Sequence, residues 1–170
     1  LSVPDVAVTN EDIDTAGLAV NPETGLSTDE NGGSDQFSVT LLSRPTASVT
    51  IQAASGTLAE AAVLPAAITI QPADWTEAAV FTVNGQPDEV VDGDQPFTLS
   101  LAVISDDPLY AALTLPNVTG VNSDVDSAGV LVTPSSGLVT TEDGGTDGFT
   151  VRLTSRPADI LGLPSGRLAP

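Results

Sequence analysis

The side chains that could do chemistry in this sequence are almost all carboxylates. Twenty-three Asp and Glu stand against four Arg, giving a net charge of −19, and the 170 residues include no Lys, His, Cys or Met. That set excludes a His acid–base relay, a Cys nucleophile, a Lys Schiff base, and zinc or iron held by nitrogen and sulfur. So negative a surface repels phosphate backbones and anionic headgroups, so neither nucleic acid nor a membrane is expected as partner. Hard cations with oxygen ligands are what remains. The densest supply is Asp88, Glu89, Asp92 and Asp94, four carboxylates within seven residues.

Which of these acids can meet depends on the elements that carry them, and a repeat organises those elements. Asn10, Asp12, Asp14, Ala16 and Gly17 recur as Asn122, Asp124, Asp126, Ala128 and Gly129. Glu30, Gly32, Gly33, Asp35 and Phe37 recur as Glu142, Gly144, Gly145, Asp147 and Phe149, and Ser43-Arg44-Pro45 as Ser155-Arg156-Pro157. The offset is 112 throughout, and 23 of the 45 pairs between 1–45 and 113–157 are identical. Self-similarity at a fixed period marks tandem structural units. The expected organisation is the last strand and linker of one unit in 1–14, a complete unit in 15–126, and the opening strands of a third in 127–170. The register dissolves after Pro157, leaving a divergent tail.

Alternation of apolar and polar residues, rich in β-branched types, predicts strands at 17–20, 36–43, 48–53, 67–70, 78–84, 96–104 and around Val118. Seven short strands, thirteen prolines and no helical period predict an all-β fold, an antiparallel seven-stranded immunoglobulin-like β-sandwich repeated head to tail. Trp75, the single tryptophan, is expected to plug the core near a strand start.

Strand parity then sorts the acids. Alternating up and down strands put Glu30, the 55–65 loop with Glu60, the 85–95 loop, Asp124 and Asp126 at one end, and Asp74, Asp106 and Asp107 at the other. Taken singly, each acid reads as a solvated turn residue. Taken together they repel one another strongly unless a divalent ion sits among the oxygens. Calcium, with six to eight oxygen ligands and tolerant geometry, suits loops better than magnesium. The candidate ligands are Glu30, Asp88, Glu89, Asp92, Asp94, Asp124 and Asp126. The last two fall at the joint with the next unit, where an ion stiffens the link.

These residues resemble the Calx-beta domains, and more closely the Calx-beta-like tandem repeats of very large bacterial surface proteins. The likeness is carried by Thr28-Asp29-Glu30-Asn31-Gly32-Gly33 before a Phe-x-Val-x-Leu strand, by Phe81-Thr82-Val83-Asn84-Gly85, and by Asp88 to Phe97. The resemblance implies calcium held by Glu30, Asp88, Glu89 and Asp92, with Asp124 and Asp126 closing the site. Pro87 departs from the pattern, where the bacterial repeats often carry an acid. Two other motifs fail. Asp12 to Glu23 has Ala16 at a ligand position of an EF-hand loop, and an inserted Ala breaks the Asp-Thr-Gly turn of aspartic proteases at Asp14 and Asp126.

The expected function is structural, with no catalysis: a calcium-stiffened repeat unit of an extracellular filament, adhesin stalk or bacterial cell-surface array. Its partners are neighbouring repeats or copies of itself, joined head to tail and in one variant by strand exchange. The alternative is an extracellular glycan- or protein-binding β-sandwich module, for which 4% aromatic content supplies few stacking platforms.

Overall fold

The computed structural model describes residues 3–157; the divergent tail expected at 158–170 lies outside them. Two sheets face each other across 15–126. The first runs in the order β1 (Leu18–Asn21), β3 (Ser34–Leu41), β7 (Ala79–Gly85), β5 (Ala61–Leu64). The second runs β2 (Leu26–Asp29), β9 (Val118–Ser123), β8 (Gln95–Ser105), β4 (Val49–Ser55), β6 (Ala67–Ile70). Period-two alternation is the cause, because each strand turns one face to the partner sheet. Phe37, Val39 and Leu41 of β3, Phe81 and Val83 of β7, Val49 and Ile51 of β4, and Phe97 and Leu99 of β8 fill the space between, all buried. Phe37 and Phe81 stack with ring centroids 5.0 Å apart. Trp75 packs against this core from its edge.

The sandwich has nine strands, not seven. The two extra ones arise because two chain traverses switch sheets partway. Strands β1 and β2 flank Pro22, and β5 and β6 flank Pro65. Proline has no N–H to give a ladder, so pairing to one sheet stops there and the continuing chain joins the other. Sequence alternation registers the apolar residues of such a traverse but not the change of sheet. The result also has one parallel pair, β2 with β9, in an otherwise antiparallel arrangement.

At the end away from Glu30, one helical turn, α1 (Pro108–Ala111), follows β8. Asp107 caps it, its carboxylate accepting from the Leu109 N–H at 2.9 Å and from the Thr46 N–H and hydroxyl at 2.7 and 2.8 Å. These bonds, led by those from Thr46, hold the Asp107 carboxyl below its ordinary value. Buried Tyr110 reaches from α1 to Ser43, accepting its N–H at 3.2 Å and donating to its carbonyl. The β3–β4 turn is thereby tied to β8.

Residues 127–157 form a hairpin of β10 (Val130–Thr133) and β11 (Thr150–Leu153). Its register, Val130 opposite Leu153 through Thr133 opposite Thr150, is that of β1 and β3, Leu18 opposite Leu41 through Asn21 opposite Ser38, displaced by 112.

Two substitutions test this core. Phe81→Ala removes half of the ring stack and is expected to lower unfolding free energy by about 3–5 kcal/mol. Tyr110→Phe leaves the Ser43 N–H without its partner and is expected to cost about 1–3 kcal/mol. Urea unfolding monitored by Trp75 fluorescence measures both.

Candidate metal centre

The end of the sandwich that carries Glu30 is closed by backbone contacts that leave no room for side chains. A Cβ on Gly85 would lie 2.2 Å from the Asp29 carbonyl oxygen and 2.5 Å from the Asn122 Oδ1. The ends of β2, β7 and β9 therefore converge. Asn122, fully buried, accepts from the Thr28 hydroxyl at 2.9 Å and donates to the Gln86 carbonyl at 3.1 Å. Its amide also reaches Glu60 at 3.5 Å. After β2, Asp29 accepts from the N–H groups of Asn31 and Gly33, both at 2.9 Å, and Gly32 takes φ 87° to make that turn. The tight turn sets Glu30 pointing inward, only 5% exposed.

Against Glu30 lies the segment that leaves β9. The Val125 N–H donates to Glu30 Oε2 at 3.1 Å. Asp124 accepts from the Asp126 N–H at 2.7 Å and from the Gly93 N–H at 2.8 Å, and its own N–H donates to Asp94 at 3.1 Å. Carboxylate oxygens of Glu30, Asp124 and Asp126 come within 4.8 Å of one another. The Asp126 Oδ2 is buried and has no hydrogen-bond partner.

The seven candidate ligands thus share one end of the sandwich in different roles. Glu30, Asp124 and Asp126 form the converging trio. Asp88 and Glu89 lie near enough for their charges to act on it. Asp94 anchors the Asp124 backbone, and Asp92 approaches through its own N–H, which favours the Asp124 charge. Asn122 and Thr28, which hold the trio's two supporting strands together, were not among the candidate site residues, although they stand in the repeat and in the motif of the resemblance. Their signal was present: both types recur at the period of 112, as Asn10 and Thr140.

Electrostatics at the trio are opposed. Burial pushes the Glu30 carboxyl above its ordinary value, the Val125 N–H pulls it down, and the charges of Asp88, Asp124 and Asp126 push it up again. Asp126 is raised by burial and by Asp124, Asp88 and Glu89. Asp124 is lowered by the N–H groups of Gly93 and Asp126. The donor set is all oxygen, one oxygen lacks any partner, and the negative charges reinforce one another. These residues fit a hard divalent cation, held by Glu30, Asp124 and Asp126 with Asp88 and Glu89 adjoining.

The loop that brings Asp88 and Glu89 also touches the hairpin beyond. Val90 bridges in parallel with Arg156, whose N–H donates to the Glu89 carbonyl. Val91 lines a cleft of about 550 Å³ together with Ala128, Gly129, Val130, Leu153, Ser155, Arg156 and Pro157.

No family model matches the sequence, and no curated protein matches it. Solved structures do. A PapD-like domain of human CEP192 superposes with a TM-score of 0.50 at 8% identity, over 75% of this chain and 98% of that one. The apo-form Calx CBD1 domain gives 0.48 at 18% identity, over 66% and 100%. The calcium binding domain CBD12 of CALX1.1 gives 0.48 at 20%, over 65% and 45%. The match to the PapD-like domain agrees with an immunoglobulin-like β-sandwich; at these identities nothing beyond the fold follows. Among the described residues no helix is long and apolar enough to cross a membrane.

The opposed shifts give the three acids of one cluster signs that differ. Glu30 and Asp126 are raised, so in chelator their contribution to stability falls as pH rises above the ordinary carboxylate range. Asp124 is lowered, so its contribution is present above that range and is lost as pH falls through the depressed value. In chelator at pH 7, Glu30→Gln is therefore expected to melt no lower than wild type, since Gln still accepts from Val125, while Asp124→Asn melts lower. Thermal denaturation of the two variants side by side checks the signs.

Proposed function

We propose that this chain is a structural link, a repeat unit stiffened by calcium, within an extracellular or cell-surface filament, adhesin stalk or array of bacterial origin. The observation that carries the reading is the trio itself. Folding forces three carboxylates to within 4.8 Å, one of them buried, and turns an unpartnered Asp126 oxygen inward. A cation at that point neutralises the repulsion. It also ties Glu30, which opens the unit, to Asp124 and Asp126, which close it. Because the loop bearing Asp88 and Glu89 touches Arg156, an ion there would also restrain the following segment. Calcium is the ion of choice, since the ligands come from turns rather than from a rigid octahedral frame.

Catalysis is not part of the reading. Paired carboxylates in glycosidases stand about 5–9.5 Å apart across a substrate groove. The 550 Å³ cleft has no Asp or Glu in its lining. Glycan stacking on Trp75 finds no support either, because its indole is engaged with the core.

Melting the chain in millimolar calcium and in chelator at pH 7 decides the matter. With free calcium a hundredfold above its Kd, the unit gains about 2.7 kcal/mol, an upward shift of several degrees that magnesium reproduces poorly. Asp124→Asn/Asp126→Asn is expected to abolish the shift. Identical melting with and without calcium would remove the cation from the proposal.

A further inference from the structure

Three chain segments carry acids to the Glu30 end of the sandwich, and a buried side chain on one of them bonds to the other two. Asn122 of β9, 1% exposed, accepts from the Thr28 hydroxyl of β2 at 2.9 Å and donates to the carbonyl of Gln86, just past β7, at 3.1 Å. Each of these residues stands two positions before an acid: Thr28 before Glu30, Gln86 before Asp88, and Asn122 before Asp124. Two residues of chain span at most about 7 Å, so a bond that fixes the earlier residue also confines the acid after it.

These bonds fix what apolar packing leaves loose. Strands β2 and β9 belong to one sheet and β7 to the other, and the hydrophobic contact between sheets is non-directional. Within the second sheet, the parallel register sets Thr28 beside Asn122, and the Glu30 N–H donates to the Ser123 carbonyl at 3.3 Å. Across the sandwich, the Asn122 amide reaches the Gln86 carbonyl. Gly85 leaves space for that approach, since a Cβ there would lie 2.5 Å from the Asn122 Oδ1. The bonds of the Asn122 side chain go to Thr28, Gln86 and Glu60, and none goes to Glu30, Asp124 or Asp126. The amide therefore touches the supports of the acids and not the acids of the trio. The spacing recurs in the repeat, Asn10 standing two positions before Asp12 and Thr140 two before Glu142.

We infer that Asn122 and Thr28 are the positioning residues of the carboxylate cluster. Their bonds gather the segments that bear Glu30, Asp88 and Asp124, so that one divalent cation can take oxygens from all three. Groups that orient ligands without touching the metal change its affinity about 10–100-fold when removed. The positioning holds with or without an ion. Its consequence for calcium rests on the cation reading above.

Thr28→Val keeps the side-chain shape and removes the hydroxyl, Thr28→Ser keeps the hydroxyl, and Asn122→Ala removes all three bonds. Tyr110→Phe weakens the opposite end and is the control. Amide exchange followed by NMR in chelator reads the cluster without an ion. The reporters are the Val125 N–H, which donates to Glu30, and the Asp126 N–H, which donates to Asp124. Thr28→Val is expected to speed exchange at Val125 about fivefold or more, the contribution of one hydrogen bond whose buried partner is left unpaired. Exchange at Ile51 and Phe81 is expected to stay as in the wild type, and Thr28→Ser to restore Val125. In calorimetric titration, calcium binding is expected to weaken about tenfold or more in Thr28→Val and further in Asn122→Ala, with Thr28→Ser and Tyr110→Phe close to wild type. Should Asn122→Ala fail to fold, Thr28→Val alone carries the test. Unchanged exchange at Val125 in Thr28→Val overturns the inference. So does an equal effect of Tyr110→Phe, which would reduce the role to general stability, and so does faster exchange with calcium affinity unaltered. A wild type that binds no calcium removes the cation reading alone, and exchange at Val125 then decides the positioning by itself.

Discussion

Three carboxylates pressed together by an apolar core behind them are the constraint on which the rest depends. Phe37, Phe81, Phe97 and Leu26 must be buried, and burying them draws the ends of β2, β7 and β9 so close that Gly85 has no space for a Cβ. Glu30 and the Asp124–Asp126 turn sit at those ends and go where the core sends them. The hydrophobic term, summed over many side chains, readily outweighs the repulsion of a few charges. Two physical responses are open to the cluster: taking up a proton, which the upward shifts of the Glu30 and Asp126 carboxyls favour, or taking up a cation.

Polar groups around the trio show how such a site is kept in shape. Asn122 and Thr28 are buried but bonded, and bonded buried polar groups are directional where apolar contacts are not. The N–H groups of Gly93, Val125 and Asp126 each point at a carboxylate oxygen of the cluster. Backbone donors of this kind partly satisfy the charge and leave the remaining oxygens turned toward one another. The opposite end of the unit handles its acid differently. Asp107 is buried too, but three donors from Thr46 and Leu109 satisfy it, so its carboxyl is lowered rather than raised. Asp107 is an internal fastening, whereas Glu30 and Asp126 are buried beside like charges.

The two occurrences of the opening hairpin separate local from non-local causes. Register, the turn glycines Gly32 and Gly144 at φ 87°, and the Asp35 and Asp147 bonds to the N–H groups of Ser27 and Val139 are the same in both. Burial is not. The same apolar residue types that are sealed in the sandwich are bare in the hairpin, and residues 138–141 lack the ladder that β2 has. Local sequence is sufficient for the hairpin, whereas the β2 strand exists only by virtue of a segment some ninety residues later, as its pairing with β9 shows.

The positions of seven of the nine sandwich strands, the period of 112 and the gathering of acids at one end could be read directly from the chain, since alternation and parity depend only on the residue types along each strand and on the antiparallel succession of strands. The place of Glu30 at the same end as the 85–95 loop follows from that succession alone. The number of strands could not be read, because a proline at 22 or 65 marks a break in a ladder without saying that the chain continues in the opposite sheet. Nor could the selection of Glu30, Asp124 and Asp126 from seven candidates, or the different task of Asp94. That selection was made by the close approach of β2 and β9, a parallel pairing across more than ninety residues, which brings one residue's N–H to another's carboxylate. Sequence supplied the charges and the end at which they collect; packing decided which oxygens face one another, because only packing fixes distances.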